Sequence, residues 1–410
     1  MPIPKINRRN HSFLNPSSEP TVNGNSLVVS DIEMNSLLQH DIVKRFGVSP
    51  EFLLEYQDQF PAFDWSKNSW DEFLESLTPL NQLHTSFAMS TVQRGRYACS
   101  LLDQNGSIKA RNRYLDIGTA YAGFLRAFKE RGFRDVIGIE LQERLARLGT
   151  ANIRGLCGAQ VIVGDFLRDD YSSLGAFDIV TCNDVIEHVD DAVFAIKKMS
   201  NLVAAAGCLA LEVPNKNCIS FVKSDGHFQI FGITQLLRDG AADYYAAIMS
   251  QSDEGRPDPA LRENKRGTYL FEMGEMYELE WYIKHLSEHG MKVSVADTHK
   301  IAKLRQAPNM IDELKHAYTE WAFKTAPNIE KNIADAVIEA VDAYLRRLES
   351  DFAELNDEAS QKRFEDKYLR SFWTLLAVKD EAVVATNQNR MNRPLGLVGR
   401  FLRFLSKRAA

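Results

Sequence analysis

Leu115-Asp116-Ile117-Gly118-Thr119-Ala120-Tyr121-Ala122-Gly123-Phe124 joins a short apolar run to a helical stretch through small residues. Small side chains let backbone approach a ligand, and the N–H groups opening the following helix face that ligand. Further along, Glu140 closes VIGIE, Asp165 follows VIV, and Asp184 follows FDIVTCN. A carboxylate after a second strand can accept both hydroxyls of a ribose, and Asp165 can accept from an adenine amino group with Phe166 beside the ring. Asp184, Glu187 and His188 stand at i, i+3 and i+4, one face if a helix starts there. With His227 across from them they make two carboxylates and two imidazoles, a set suited to a divalent cation bridging substrate oxygens. Two other readings stay open. His188 or His227 acts as a general base without metal, or Asp184 caps a helix, Glu187 pairs with a lysine such as Lys197, and His188 packs under a loop.

Strands are needed to bring these acids to one edge. Between Arg113 and Asn215 five short apolar runs (Tyr114 to Ile117, Val136 to Ile139, Val161 to Val163, Ile179 to Cys182, Leu209 to Val213) alternate with helical stretches such as Phe124 to Arg131 and Glu143 to Ala151. That alternation predicts a parallel sheet with crossover helices, whose ligands bind outside the carboxyl ends of the strands. Asn81 to Leu102 reads as a helix before the first strand, Leu279 to His289 as a helix ending at Gly290, and Met291 to Ala296 as a further strand. Beyond Thr298 only helical patterns are read, over Ile329 to Leu348 and Ala359 to Val378.

The predicted organisation is therefore a flexible tail over 1–27, a helical cover over 28–80, and a sheet domain over 81–298 with an insertion at 216–268. A helical region over 299–390 and a basic amphipathic helix over 391–410 complete it. The 410 residues carry 49 Lys plus Arg against 55 Asp plus Glu, a net charge of -6, which argues against a general nucleic-acid coat. Hydrophobic residues at 45% and charged residues at 25% exclude collagen-like, disordered and disulfide-scaffold classes for the chain as a whole. The 5 cysteines show no CxxC pair and read as reduced thiols. With no secretory leader and no apolar run of about 18 residues, the expected location is cytoplasmic.

YLDIGTAYAGF, VIGIEL, VIVGDF, FDIVTCNDVIEHVDD and GCLALEVPN, in this order, resemble the class I S-adenosylmethionine-dependent methyltransferases over roughly residues 85 to 298. The resemblance implies a Rossmann-like, doubly wound, mostly parallel α/β sheet of seven strands. It further implies that Asp116 and the Gly118 turn hold the methionine part of the cofactor, Glu140 the ribose and Asp165 the adenine, with Thr119, Ala120, Leu141, Phe166 and Asn183 also among the cofactor-binding residues. Ala120 and Ala122 depart from the family's glycines. DVIEH is similar to the DxxEH or ExxEH element of ubiquinone-pathway O-methyltransferases and small-RNA end methyltransferases, which implies metal-assisted binding of two adjacent hydroxyls.

The reading is methyl transfer to a hydroxyl, with Asn215, Lys223, His227 and Phe228 on the acceptor side. The expected acceptor is a sugar of a surface polysaccharide or lipid-linked saccharide, because the additions exceed what a small phenol needs. A polyprenylated phenol or quinone precursor and a non-catalytic assembly protein are the alternatives. The basic segment 394–408 reads as a helix lying on the inner face of the membrane or docking on its own protein, and the C-terminal helices as a surface for homo-oligomers.

Overall fold

The computed structural model describes residues 41–57, 69–77, 79–224, 230–249 and 275–379. The tail 1–27, residues 225–229 and 250–268 of the expected insertion, with them His227 and Phe228, and the basic helix 391–410 lie outside the described residues.

Short helices α1 (Asp41–Phe46), α2 (Pro50–Gln57) and α3 (Trp70–Glu75) precede the long helix α4 (Pro79–Gln104). Phe46, Phe52, Leu53 and Trp70 of this cover pack with Met89 and Val92 of α4. Then come β1 (Arg113–Ile117), α5 (Gly123–Glu130), β2 (Asp135–Glu140), α6 (Glu143–Asn152), β3 (Ala159–Val163), β4 (Phe177–Asn183), α7 (Ala192–Leu202) and β5 (Val203–Pro214). The described part of the expected insertion forms α8 (Ile219–Lys223) and α9 (Arg238–Met249). Helix α10 (Leu279–Glu288) leads to β6 (Met291–Lys300), followed by α11 (Ala307–Lys324), α12 (Lys331–Ala353), α13 (Glu358–Tyr368) and β7 (Arg370–Lys379).

The seven strands form one sheet in the order β3-β2-β1-β4-β5-β7-β6. Strands β1 to β5 pair in parallel, and β7 runs antiparallel between β5 and β6. This corrects the expectation of helix over Ala359 to Val378: α13 stops at Tyr368 and a strand follows. A strand between two neighbours is buried on both faces, so Phe372 to Val378 is apolar at every position but Thr374, without the alternation that marks a half-exposed strand. The described part of the 299–390 region, residues 299–379, is therefore not an appendage. Its helices are an excursion between the last two strands of the sheet, and the sheet extends past the expected boundary at residue 298.

Successive residues face opposite sides of the sheet. Leu115, Ile117, Val180, Leu211 and Leu375 pack with Ile196 and Met199 of α7 and with Tyr282 and Leu286 of α10. Tyr114, Ile179, Ala210 and Leu376 pack on the other side with Cys99 and Leu102 of α4 and Phe124 and Phe128 of α5. A separate core, containing Tyr244, Trp321, Val337, Tyr344 and Phe364, joins α8, α9 and α11 to α13 into a lobe beside the sheet.

Candidate active site

At the end of β1 the chain turns sharply. Gly118 sits at φ 70°, and a Cβ there would lie 2.4 Å from Val185 Cγ2, so the loop after β4 closes over this position. Ala120 and Ala122 also hold positive φ, at 44° and 52°. The turn is tied to β2, because the N–H groups of Gly118 and Thr119 both donate to the Ile139 carbonyl, at 2.9 and 3.1 Å. Helix α4 crosses α5 closely behind it: a Cβ at Gly95 would lie 2.7 Å from Phe124 Cα.

Glu140 is buried at the end of β2, where its carboxylate accepts from the N–H of Ala120 at 2.8 Å and of Gln142 at 2.9 Å. Burial raises its pKa, and these two donors offset part of that shift. Each oxygen keeps a second lone pair for a ligand hydroxyl. Leu141 beside it is left 37% exposed, apolar surface at the mouth of the site. Asp116 is buried one strand over and accepts from Thr181 Oγ1 at 2.6 Å. Asp165 Oδ1 accepts from the N–H groups of Leu167 and Arg168, so that carboxylate shapes its own loop. Phe166 is buried against Tyr171 in the core. Asn183 Nδ2, at the end of β4, is buried with no hydrogen-bond partner among the described residues. An orphaned amide, a two-oxygen acceptor and a tight turn converging on the carboxyl ends of β1, β2 and β4 fit a nucleoside cofactor.

Beside the turn, a cavity of about 270 Å³ lies between α4 and the sheet. Its polar wall is Gln93, Arg94 and Tyr97 from α4, Asn183 from β4, Glu212 from β5 and His299 from β6, and its apolar wall includes Leu102, Phe124 and Leu376. Arg94 links two acids, with one terminal nitrogen donating to Asp184 Oδ2 at 2.7 Å and Glu212 Oε1 at 3.0 Å. Its guanidinium stacks 4.0 Å above the Phe87 ring centroid. His299 Nε2 lies 3.6 Å from Glu212 Oε2, within ion-pair range, and its ring meets the Phe372 ring edge-on at a centroid distance of 5.7 Å. The Tyr97 hydroxyl donates to Asp297.

Several expected site residues stand elsewhere. Ile186–His188 is a single 3-10 turn and Asp184 has φ 52°, so the helical face expected to carry Asp184, Glu187 and His188 does not form. Asp184 turns to Arg94 instead, while Glu187 is fully buried. Among the described residues no group of three His, Cys, Asp or Glu side chains is placed to hold a metal ion. Asp184, Glu187 and His188 as placed therefore do not form the expected cation-binding face. Asn215 is buried and not on the acceptor side: its Nδ2 donates to the carbonyls of Lys367 and Arg370 and its Oδ1 accepts from Asn217 N–H, clamping the end of β5 to the entry of β7. Lys223 is exposed and pairs with Glu313 at 2.8 Å, on the helical lobe.

Arg94, Glu212 and His299 escape the motif reading. Glu212 leaves a signal, a lone carboxylate inside the apolar run LALEVP, since a charge in a buried strand needs a partner. Arg94 and His299 lie 118 and 87 residues from Glu212 in the chain (212 − 94 and 299 − 212), and nothing local marks their convergence.

The strand order, the turn closing β1 and the buried acid closing β2 fit the fold of a class I S-adenosylmethionine-dependent methyltransferase, and the match of residues 91–278 to the family model described as a methyltransferase domain supports that class. Among curated proteins the chain is similar to the ubiquinone biosynthesis O-methyltransferase of Acinetobacter baumannii (strain ACICU), 26% identical over 187 residues, covering 44% of this chain and 70% of that protein. It is similar also to the protein of that name from Psychrobacter cryohalolentis, 28% identical over 217 residues, covering 50% of this chain and 78% of the relative. The solved structure of SAM-bound CalS10, an amino pentose methyltransferase from Micromonospora echinaspora, is 26% identical over 29% of this chain and 52% of its own, with a TM-score of 0.26.

Proposed function

We propose that this methyltransferase transfers the methyl group to a hydroxyl oxygen of a saccharide, a sugar of a surface polysaccharide or of its lipid-linked precursor. The observation that supports this reading is the cavity beside the cofactor turn, where Asn183, Glu212, His299 and Arg94 face an apolar wall. Such a wall takes the C–H face of a sugar ring, while carboxylate, amide and imidazole groups take its hydroxyls. The cofactor, when bound, supplies an electrophilic methyl on a sulfonium. The chain's own work is to hold the acceptor oxygen in line and keep water away, a contribution of orientation. A polyprenylated phenol or quinone precursor is the second reading, favoured by the names of the curated relatives.

The test is label transfer from methyl-tritiated S-adenosylmethionine by the full chain, offered methyl glycosides and bacterial polysaccharide in one arm and catechol and protocatechuate in the other. Label on the saccharides is the expected result. Label confined to the phenols installs the second reading. Label on neither, with S-adenosylhomocysteine still bound in titration calorimetry, dismisses both.

A further inference from the structure

We propose that His299 is the general base that takes the proton of the acceptor hydroxyl, with Glu212 as the residue that positions it. This rests on the hydroxyl-methylation reading above. The geometry carries it. Four titratable side chains line the cavity: Arg94, Tyr97, Glu212 and His299. Arg94 stays protonated and is held by two carboxylates. The Tyr97 hydroxyl is committed to Asp297, and Glu212 is spent on Arg94 with one oxygen and faces His299 with the other. That leaves the imidazole, whose side chain is 47% exposed, as the group open to a ligand and able to change charge near neutral pH. Its presentation is built into the backbone. The β6–β7 pairing shifts register between Val295 and Asp297 and again between Thr298 and Lys300, so His299 sits in the second irregularity and Asp297 directly follows the first, the kind of break that re-aims side chains beside a site.

The step balances without another reactant. As the acceptor oxygen forms its bond to the methyl carbon, the carbon–sulfur bond breaks with its electron pair left on sulfur, and the acceptor proton passes to His299. The imidazolium so formed lies against the Glu212 carboxylate. Groups facing the ring include Glu212 from β5, Asp297 on its own strand, Asp184 from the loop after β4, and Arg94 and Tyr97 from α4. Glu212 above all, with Asp297 and Asp184, raises the His299 pKa above the usual histidine range. Although burial works to raise Glu212, His299 and Arg94 hold its pKa below the usual carboxylate range, which makes it a poor base itself.

The test uses the full chain, the glycoside and catechol probes above, and the variants His299→Asn and Glu212→Gln. His299→Asn should lose label transfer by about 100-fold or more at saturating donor, the low end of what a positioned base supplies. Its affinity for S-adenosylhomocysteine should stay within about twofold of the parent, since His299 stands off the cofactor turn. A merely structural Glu212 would change stability alone. A positioning Glu212 lowers the pH of the acidic limb of the rate profile when replaced by Gln, because the imidazole loses the charge that favours its protonated form. Retained transfer by His299→Asn on a hydroxyl that the parent methylates overturns the proposal, as does an unmoved limb in Glu212→Gln. Should His299→Asn fail to bind S-adenosylhomocysteine, His299→Gln and the limb shift decide. A parent that methylates no hydroxyl while still binding S-adenosylhomocysteine overturns the hydroxyl reading and this inference together, an outcome distinct from failure of the variants alone.

Discussion

Ala120 and Ala122 hold left-handed backbone where the family's glycines would do so freely, a conformation that costs an L-residue roughly 1–2 kcal/mol. The turn tolerates it because each residue is held: the Ala120 N–H is bonded to Glu140, and the Ala122 side chain is fully buried. Gly118 has no such latitude. Its φ of 70° and the 2.4 Å approach of Val185 to a would-be Cβ combine strain with overlap. Gly118→Ala should therefore cost about 2–4 kcal/mol of stability and weaken cofactor binding. Thermal melts and calorimetry with S-adenosylhomocysteine check this, and a variant that melts and binds like the parent would refute it.

At the scale of elements, β7 is what ties the sheet together. It pairs with β5 from Cys208↔Val378 to Pro214↔Phe372 and with β6 along its other edge. Remove it and β6 has no partner, while β5 exposes an unpaired edge lined by Leu209 and Leu211. A chain ending after Thr298, the boundary that pattern alone suggests, should express as an aggregating or non-cooperative species, because an apolar strand edge is left open. Circular dichroism melts and size-exclusion chromatography read the outcome; a monomer with a sharp transition would show that β7 is dispensable. The reason that β7 escapes pattern reading is its Leu- and Ala-rich stretch, as compatible with helix as with strand until its position between two neighbours is known.

For the whole molecule, the polar site is embedded in the sheet, which makes stability depend on pH. Burial pushes the Asp116 pKa up to about 6, against bonds from Thr181 and Thr119 that work the other way. In the unfolded chain it titrates near 4. The folded state thus favours the protonated acid: its stabilisation is complete below about pH 4 and is lost as pH rises through 6. A difference of about two units corresponds to roughly 3 kcal/mol. Asp116→Asn, which cannot ionise, should gain about that much on the parent between pH 4 and pH 7 in urea denaturation. A stability difference that stays constant across this range would be inconsistent with an Asp116 that titrates in the fold. No helix among the described residues is long and apolar enough to cross a membrane.

From the sequence alone came the alternation of strand and helix, the cofactor turn and Glu140, because each is a local pattern: a short apolar run, small residues, an acid at a strand end. The turn at residues 186–188, the clamp made by Asn215 and the cavity between α4 and the sheet were settled only by tertiary structure. Arg94, Glu212 and His299 come from a helix before the sheet, its fifth strand and its sixth, and meet because the sheet's strand order differs from chain order. Periodicity reports which face of an element is buried, and a site assembled from three such elements depends on how those faces are laid against one another.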